Sequence, residues 1–125
     1  MQAPDRRKRL YIAYTGGTIG MRRTAEGYAP APGFLAQQMA AMPELDDPRI
    51  PCYDIHEYEP LLDSSNMRPD DWVRIGRDVV AHYEQYDGFI VLHGTDTMAY
   101  TASALPFFVQ GLAKPADAAA EYKLL

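Results

Sequence analysis

The chain is predicted to be an α/β protein, the N-terminal part of a doubly wound, mostly parallel, Rossmann-like sheet. Three observations carry that expectation. Two short apolar runs rich in strand formers, residues 10–14 and 89–92, each end abruptly in a loop of glycine and threonine. Stretches with helical spacing of apolar residues separate the strand candidates. Strand, loop and helix in repeated order are the grammar of a parallel sheet covered by helices, in which ligands bind beyond the carboxyl ends of the strands.

Taken in order, Arg6, Arg7, Lys8 and Arg9 form a basic run. It is expected to be a solvated tail rather than a nucleic-acid or membrane contact. Residues 10–14 read as a buried strand and 15–18, TGGT, as a tight loop after it. Residues 22–32 are polar or small and include Gly27, Pro30 and Pro32, which predicts an irregular, mobile connection. Loops of that kind are often functional. Phe34, Leu35, Met39 and Met42, with Gln37 and Gln38 between them, predict a short amphipathic helix that Pro43 ends. Residues 52–58 alternate well enough to be a strand closed by Pro60, and residues 63–66 are a polar cluster at its exit. Pro69 in a first turn, Asp70 and Asp71 at the positive end of the dipole, and apolar Trp72, Ile75, Val79 and Tyr83 predict a helix to about Tyr86. After a turn at Asp87 and Gly88, FIVL at 89–92 is the continuous run of a strand buried on both faces. Residues 93–97 form the next loop, and 98–112 a helix kinked or broken at Pro106.

A length of 125 residues supports one domain around one core. With 47% hydrophobic and 23% charged residues, the chain has the composition of a folded protein rather than a disordered one. A net charge of -5 and a pI near 5.0 offer no general attraction to nucleic acid or to anionic lipid. The apolar run after the basic residues is too short for a signal peptide, and no run approaches a membrane span. The single cysteine, Cys52, cannot form an internal disulfide, which fits a reducing, cytoplasmic setting; the residue itself is expected to be a small buried hydrophobe. His56, His82 and His93 are scattered without cysteine or carboxylate at ligand spacing, so neither a metal nor another cofactor is expected. Trp72 and the tyrosines at helical spacing are expected in the core, and His93 in a supporting or packing role.

The chemistry lies in the loops. TGGT at 15–18 carries two hydroxyls, and its glycines let backbone N–H groups approach a negative charge. That suits a phosphate, a developing oxyanion, or a tight turn with no ligand. The nucleotide alternative is the weaker, since TGGTIG is neither G-x-G-x-x-G nor a P-loop with its lysine. GTDT at 94–97 sets a hydroxyl beside a carboxylate and can cap the following helix as well as form a site. Both loops, and the serine-bearing loop at 63–66, fall on one predicted edge of the sheet.

YTGGTIG at 14–20, DSS at 63–65 and LHGTDTM at 92–98 together resemble the signature segments of type I L-asparaginases, the cytoplasmic bacterial branch of the asparaginase/glutaminase family. The likeness runs through residues 10–115. It implies hydrolysis of L-asparagine to L-aspartate and ammonia through an acyl-enzyme on Thr18. Tyr28 then matches the tyrosine of a mobile loop that closes over the site and helps activate Thr18. Thr95 matches a second threonine at the reacting carbonyl or water, Asp96 the carboxylate that takes the substrate's α-ammonium, and Asp63, Ser64 and Ser65 the segment holding its α-carboxylate and amine. The family's catalytic lysine, paired with the threonine that Thr95 matches, has no counterpart; neither Lys114 nor Lys123 stands in a matching context. Asn66 stands where the family often carries aspartate. The resemblance implies a homodimer or homotetramer, with no nucleic-acid or membrane partner. On this basis residues 1–9 are a basic tail, 10–115 an asparaginase-like domain cut before its end, and 116–125 a tail outside the family pattern that forms a short helix or frays. The alternative is an inactive, truncated remnant, or a partner-binding fragment, of such an enzyme.

Overall fold

The computed structural model describes residues 6–110 and 114, and the backbone of 116–119. Strand β1 (Arg9–Tyr14) lies at the centre of a parallel sheet. Around it the chain adds a hairpin, β2 (Met21–Thr24) and β3 (Gly27–Pro30), helix α1 (Phe34–Ala40), and strand β4 (Cys52–Glu57). Helix α2 (Pro69–His82), strand β5 (Gly88–Leu92), helix α3 (Met98–Phe108) and strand β6 (Ala116–Ala119) follow. The sheet order is β4-β1-β5-β6 and every pairing is parallel. Ile12 lies between Ile55 on one side and Ile90 on the other, so the ends of β1, β4 and β5 are level and their exit loops share one edge.

Side chains alternate across β1. Tyr11 and Ala13 join Phe89, Val91, Tyr58 and, from α2, Ile75 and Val79 in the main core, against which Leu105 and Val109 pack from the α3 end. Ile12 and Tyr14 are buried on the opposite face. Helix α2 begins as anticipated, with Pro69 in the first turn and the Asp71 carboxylate accepting the Arg68 N–H at 2.8 Å. It ends at His82 rather than Tyr86, and a 3-10 turn at Tyr83–Gln85 follows. The tighter turn leaves Tyr83 and Tyr86 against Phe89, with ring centroids 6.3 Å apart in both pairs. Pro106 does not break α3, which continues to Phe108; Leu112, the expected end, lies outside the described residues.

Four local expectations are corrected. Residues 22–32 are no irregular connection: Met21 to Thr24 pairs in register with Gly27 to Pro30. The Thr24 hydroxyl, bonded to the Gly27 carbonyl at 2.7 Å, closes the turn. Both strands are solvent-exposed, so they carry no apolar alternation to read. At the other end, residues 116–119 form a strand against β5, with Ile90 opposite Asp117, where a helix or frayed tail was expected. Cys52 is exposed rather than buried, at the first position of β4, an edge strand among the described residues. The basic run is solvent-exposed, as expected, but it is not a free tail. Arg6 bridges Asp87 at 3.1 Å, Arg7 donates to the carbonyls of Ile50 and Asp47, and Arg9 pairs with Asp54 at 2.6 Å.

Candidate active site

Where β1 ends, Thr15 is wholly structural. Its N–H and its hydroxyl both donate to the Leu92 carbonyl of β5, at 3.0 and 2.7 Å, and its carbonyl accepts the Leu62 N–H at 2.7 Å. These bonds join the three exit loops at their roots. Gly17 follows with φ 108°, a conformation that strains any residue with a Cβ. A Cβ there would also sit 3.2 Å from the Gly94 Cα, so glycine is required on conformational and steric grounds alike. The chain then makes a 3-10 turn, Thr18–Gly20, that leaves Thr18 exposed. Beneath it the buried Tyr14 ring occupies the space a side chain at Gly20 would need, and its hydroxyl reaches the Gly17 carbonyl at 3.4 Å. Burial, and next the Glu57 carboxylate, push the Tyr14 phenol up to about 12, so it stays a neutral prop.

The second loop is a 3-10 turn, Ser64–Asn66, capped by Asp63, whose carboxylate accepts the Ser65 N–H at 3.0 Å and the Ser65 hydroxyl at 2.8 Å. Those bonds hold the Asp63 carboxyl below the usual carboxylate range. Ser64 is buried, and its hydroxyl donates to the Asp96 carboxylate at 3.2 Å. The third loop is bound to the second by the Thr97 hydroxyl, which donates to the Ser64 carbonyl at 2.7 Å.

The three loops border a cavity of about 310 Å³ lined by Thr18, Asp63, Ser64, Thr95 and Asp96, together with Gly17, Gly94, Met21, Pro30, Leu61 and Leu62. Two carboxylates and, among the described residues, no lysine or arginine line it, an arrangement that favours a ligand carrying a positive charge. Hydroxyls and loop N–H groups must then meet any negative end. Five of the seven residues singled out in the sequence therefore meet at one place. Ser65 is engaged with Asp63 and does not line the cavity. Tyr28 does not either: it stands on β3, 64% exposed, although Met21 and Pro30 of the same hairpin do. Lys114 is bound elsewhere, with its ammonium donating to the Tyr83 carbonyl at 2.6 Å. Among the described residues no group of three or more histidine, cysteine or carboxylate side chains is placed to hold a metal, and no helix is long and apolar enough to cross a membrane.

Thr101 and the bond it makes to Trp72 were not singled out in the sequence. A threonine within a mostly apolar helix is the one signal that pointed to them.

The family model described as asparaginase, N-terminal, matches residues 9–116. L-asparaginase 1 of Escherichia coli K12 is 59% identical over 109 residues, covering 87% of this chain and 32% of the relative. In structure, L-asparaginase I of Vibrio cholerae superposes with a TM-score of 0.84 at 54% identity, covering 91% of this chain and 34% of that one. A Campylobacter jejuni structure titled "Probable Cytoplasmic L-asparaginase" superposes with a TM-score of 0.63 at 29% identity, over 79% of this chain and 28% of the other. The chain thus spans about a third of the length of the relatives it matches.

Proposed function

Since the chain belongs to the asparaginase family, we propose that its three-loop cavity is an amidohydrolase site that converts L-asparagine to L-aspartate and ammonia. The observation that carries this reading is the convergence of Thr18, Ser64, Thr95 and Asp96, from three distant loops, around one acidic cavity. In this proposal the Thr18 hydroxyl attacks the side-chain amide carbon. The tetrahedral intermediate expels ammonia as the leaving nitrogen takes up a proton, leaving an ester on Thr18, and water cleaves the ester to free aspartate and the hydroxyl. Asp96, oriented by the Ser64 hydroxyl, takes the α-ammonium, with Asp63 adding to the negative field. Ser64 and loop N–H groups meet the α-carboxylate, with Ser65 acting through Asp63. Thr95 stands at the carbonyl or the attacking water.

A threonine hydroxyl needs a proton acceptor. The two carboxylates that line the cavity are assigned to the α-ammonium, no lysine lines it among the described residues, and Tyr28 reaches Thr18 only if the β2–β3 hairpin swings inward. Hairpin closure is accordingly part of the proposal. The same lack of an uncommitted base favours a second reading, in which this chain alone binds but does not turn over, as a fragment or remnant. By analogy with the relatives we place the protein in the cytoplasm, as a homodimer or homotetramer, and the exposed free Cys52 suits a reducing compartment.

Ammonia release from L-asparagine by the 125-residue chain, beside Thr18→Ala, tests the reading. Release that is lost in the variant supports it. No release, together with measurable L-aspartate binding, selects the binding-only alternative, and neither activity nor binding overturns both.

A further inference from the structure

Behind the third loop lies a set of side chains that no step of the reaction uses. The His93 ring, 2% exposed, presents Nδ1 to the Gly94 carbonyl at 2.6 Å and Nε2 to the Thr101 hydroxyl at 2.8 Å. The Trp72 indole N–H donates to the same hydroxyl at 2.9 Å, and Thr101 is completely buried. Each proton in this series has only one place to be. A carbonyl can only accept, so Nδ1 carries the hydrogen and Nε2 is a lone pair. An indole can only donate, so the Thr101 oxygen accepts from Trp72 and its own hydrogen goes to Nε2. The chain of bonds runs one way, from Trp72 to Thr101 to His93 to Gly94.

The far end of that chain is where the three loops meet. Gly94 packs on Gly17 and on Ser64, so all three loops touch it. Its carbonyl belongs to the planar peptide whose nitrogen is that of Thr95. Fixing the carbonyl fixes the plane, turns the Thr95 N–H away from the imidazole, and sets the direction in which residues 95 and 96 leave. We propose that His93 is a positioning residue: through a one-way hydrogen-bond chain with Thr101 and Trp72 it locks the Gly94–Thr95 peptide and so aims Thr95 and Asp96 at the cavity. The role in catalysis rests on the asparaginase reading; the locking of the loop does not. Burial supports it further by lowering the imidazole pKa, which keeps the ring neutral at pH 7 as the bond directions require.

The experiment uses the ¹⁵N-labelled 125-residue chain. The His93 ring nitrogens are expected to report the Nδ1–H tautomer. Thr95 and Asp96 amides are expected to show order parameters near 0.85, the level of rigid backbone. In Thr101→Val the two amides are expected to fall below about 0.6, while the amides of β1 stay rigid; Thr101→Ser restores the loop. Trp72→Phe, which removes only the indole donor, gives a smaller change in the same direction and decides the matter if the valine variant does not fold. An Nε2–H tautomer, a mobile loop in the unaltered chain, an unchanged loop in the variants, or equal loosening of β1 each overturns the proposal. L-Aspartate added to the same samples is expected to bind about tenfold more weakly in Thr101→Val. Failure of the unaltered chain to bind it counts against the asparagine reading, and the tautomer and loop order still decide the role of His93.

Discussion

Asp78 of α2 accepts the Tyr11 hydroxyl of β1 at 2.9 Å on one oxygen and the Tyr58 hydroxyl at 2.7 Å on the other. Both tyrosines are about 97–98% buried (3% and 2% exposed) and the Asp78 side chain is 12% exposed, so one carboxylate fastens the helix to the sheet at two points out of reach of most water. Asp78→Ala leaves two phenols without an acceptor. At about 1.5–3 kcal/mol for each charge-assisted bond, the expected loss is about 3–6 kcal/mol, a large share of the roughly 5–15 kcal/mol that small domains have in total. With a urea slope of about 2 kcal/mol per molar, the unfolding midpoint should fall by about 1.5–3 M. Asp78→Asn keeps one acceptor oxygen and should lose about half as much. In a double-mutant cycle, Tyr58→Phe should cost markedly less when Asp78 is already alanine, with a coupling of about 1–2 kcal/mol. A midpoint shift below about 0.5 M, or additive single losses, would refute the two-point clamp and leave the tyrosines as ordinary core aromatics.

The clamp has a pH counterpart. Burial first, then the bond to Asp78, raise the Tyr11 and Tyr58 phenols well above their ordinary value. A raised folded-state pKa contributes stability in full below about pH 10, and it is lost as pH rises beyond that, so urea midpoints followed from pH 8 to 11 should drop on the alkaline side, and less so in Tyr11→Phe/Tyr58→Phe. Gly94→Ala puts a methyl group into the Ser64 hydroxyl and 2.8 Å from the Ser64 Cβ; a loss of about 1–3 kcal/mol and of L-aspartate binding is expected by thermal melting and titration calorimetry. Cys52 is exposed, and should react stoichiometrically with a thiol reagent such as Ellman's without denaturant; protection in the native chain would contradict the surface position of the β4 start.

The central strands were legible because burial on both faces writes itself as an unbroken apolar run, as in β1 and β5. The hairpin was not, since MRRT and GYAP face solvent and are held by their mutual backbone bonds and the Thr24 side chain. Strand β6 was missed for a related reason: alanines have little strand preference, and pairing with β5 imposes what the residues do not favour. At the site, glycine and hydroxyl residues at strand exits pointed to the edge where the loops meet. Where each side chain goes depends on neighbours remote in sequence. Ser65 is claimed by Asp63, Tyr28 is carried outward by a hairpin that could not be foreseen, and Thr101 gains its role from a tryptophan on another helix.

The central position of β1 carries a consequence for the newborn chain. This strand emerges before either neighbour, β4 and β5, has been made, and the bonds that shape its exit loop reach across 77 residues to Leu92. Until β4 emerges its apolar run has unpaired backbone on both sides, and until β5 emerges on one, the condition in which nascent segments aggregate or recruit chaperones. The cavity cannot be completed early, because its lining runs from Gly17 to Asp96. Such distant pairing makes for slow folding, so a variant that weakens β5 should show itself first as lower soluble yield on expression, before any change in the chemistry of the cavity could be measured.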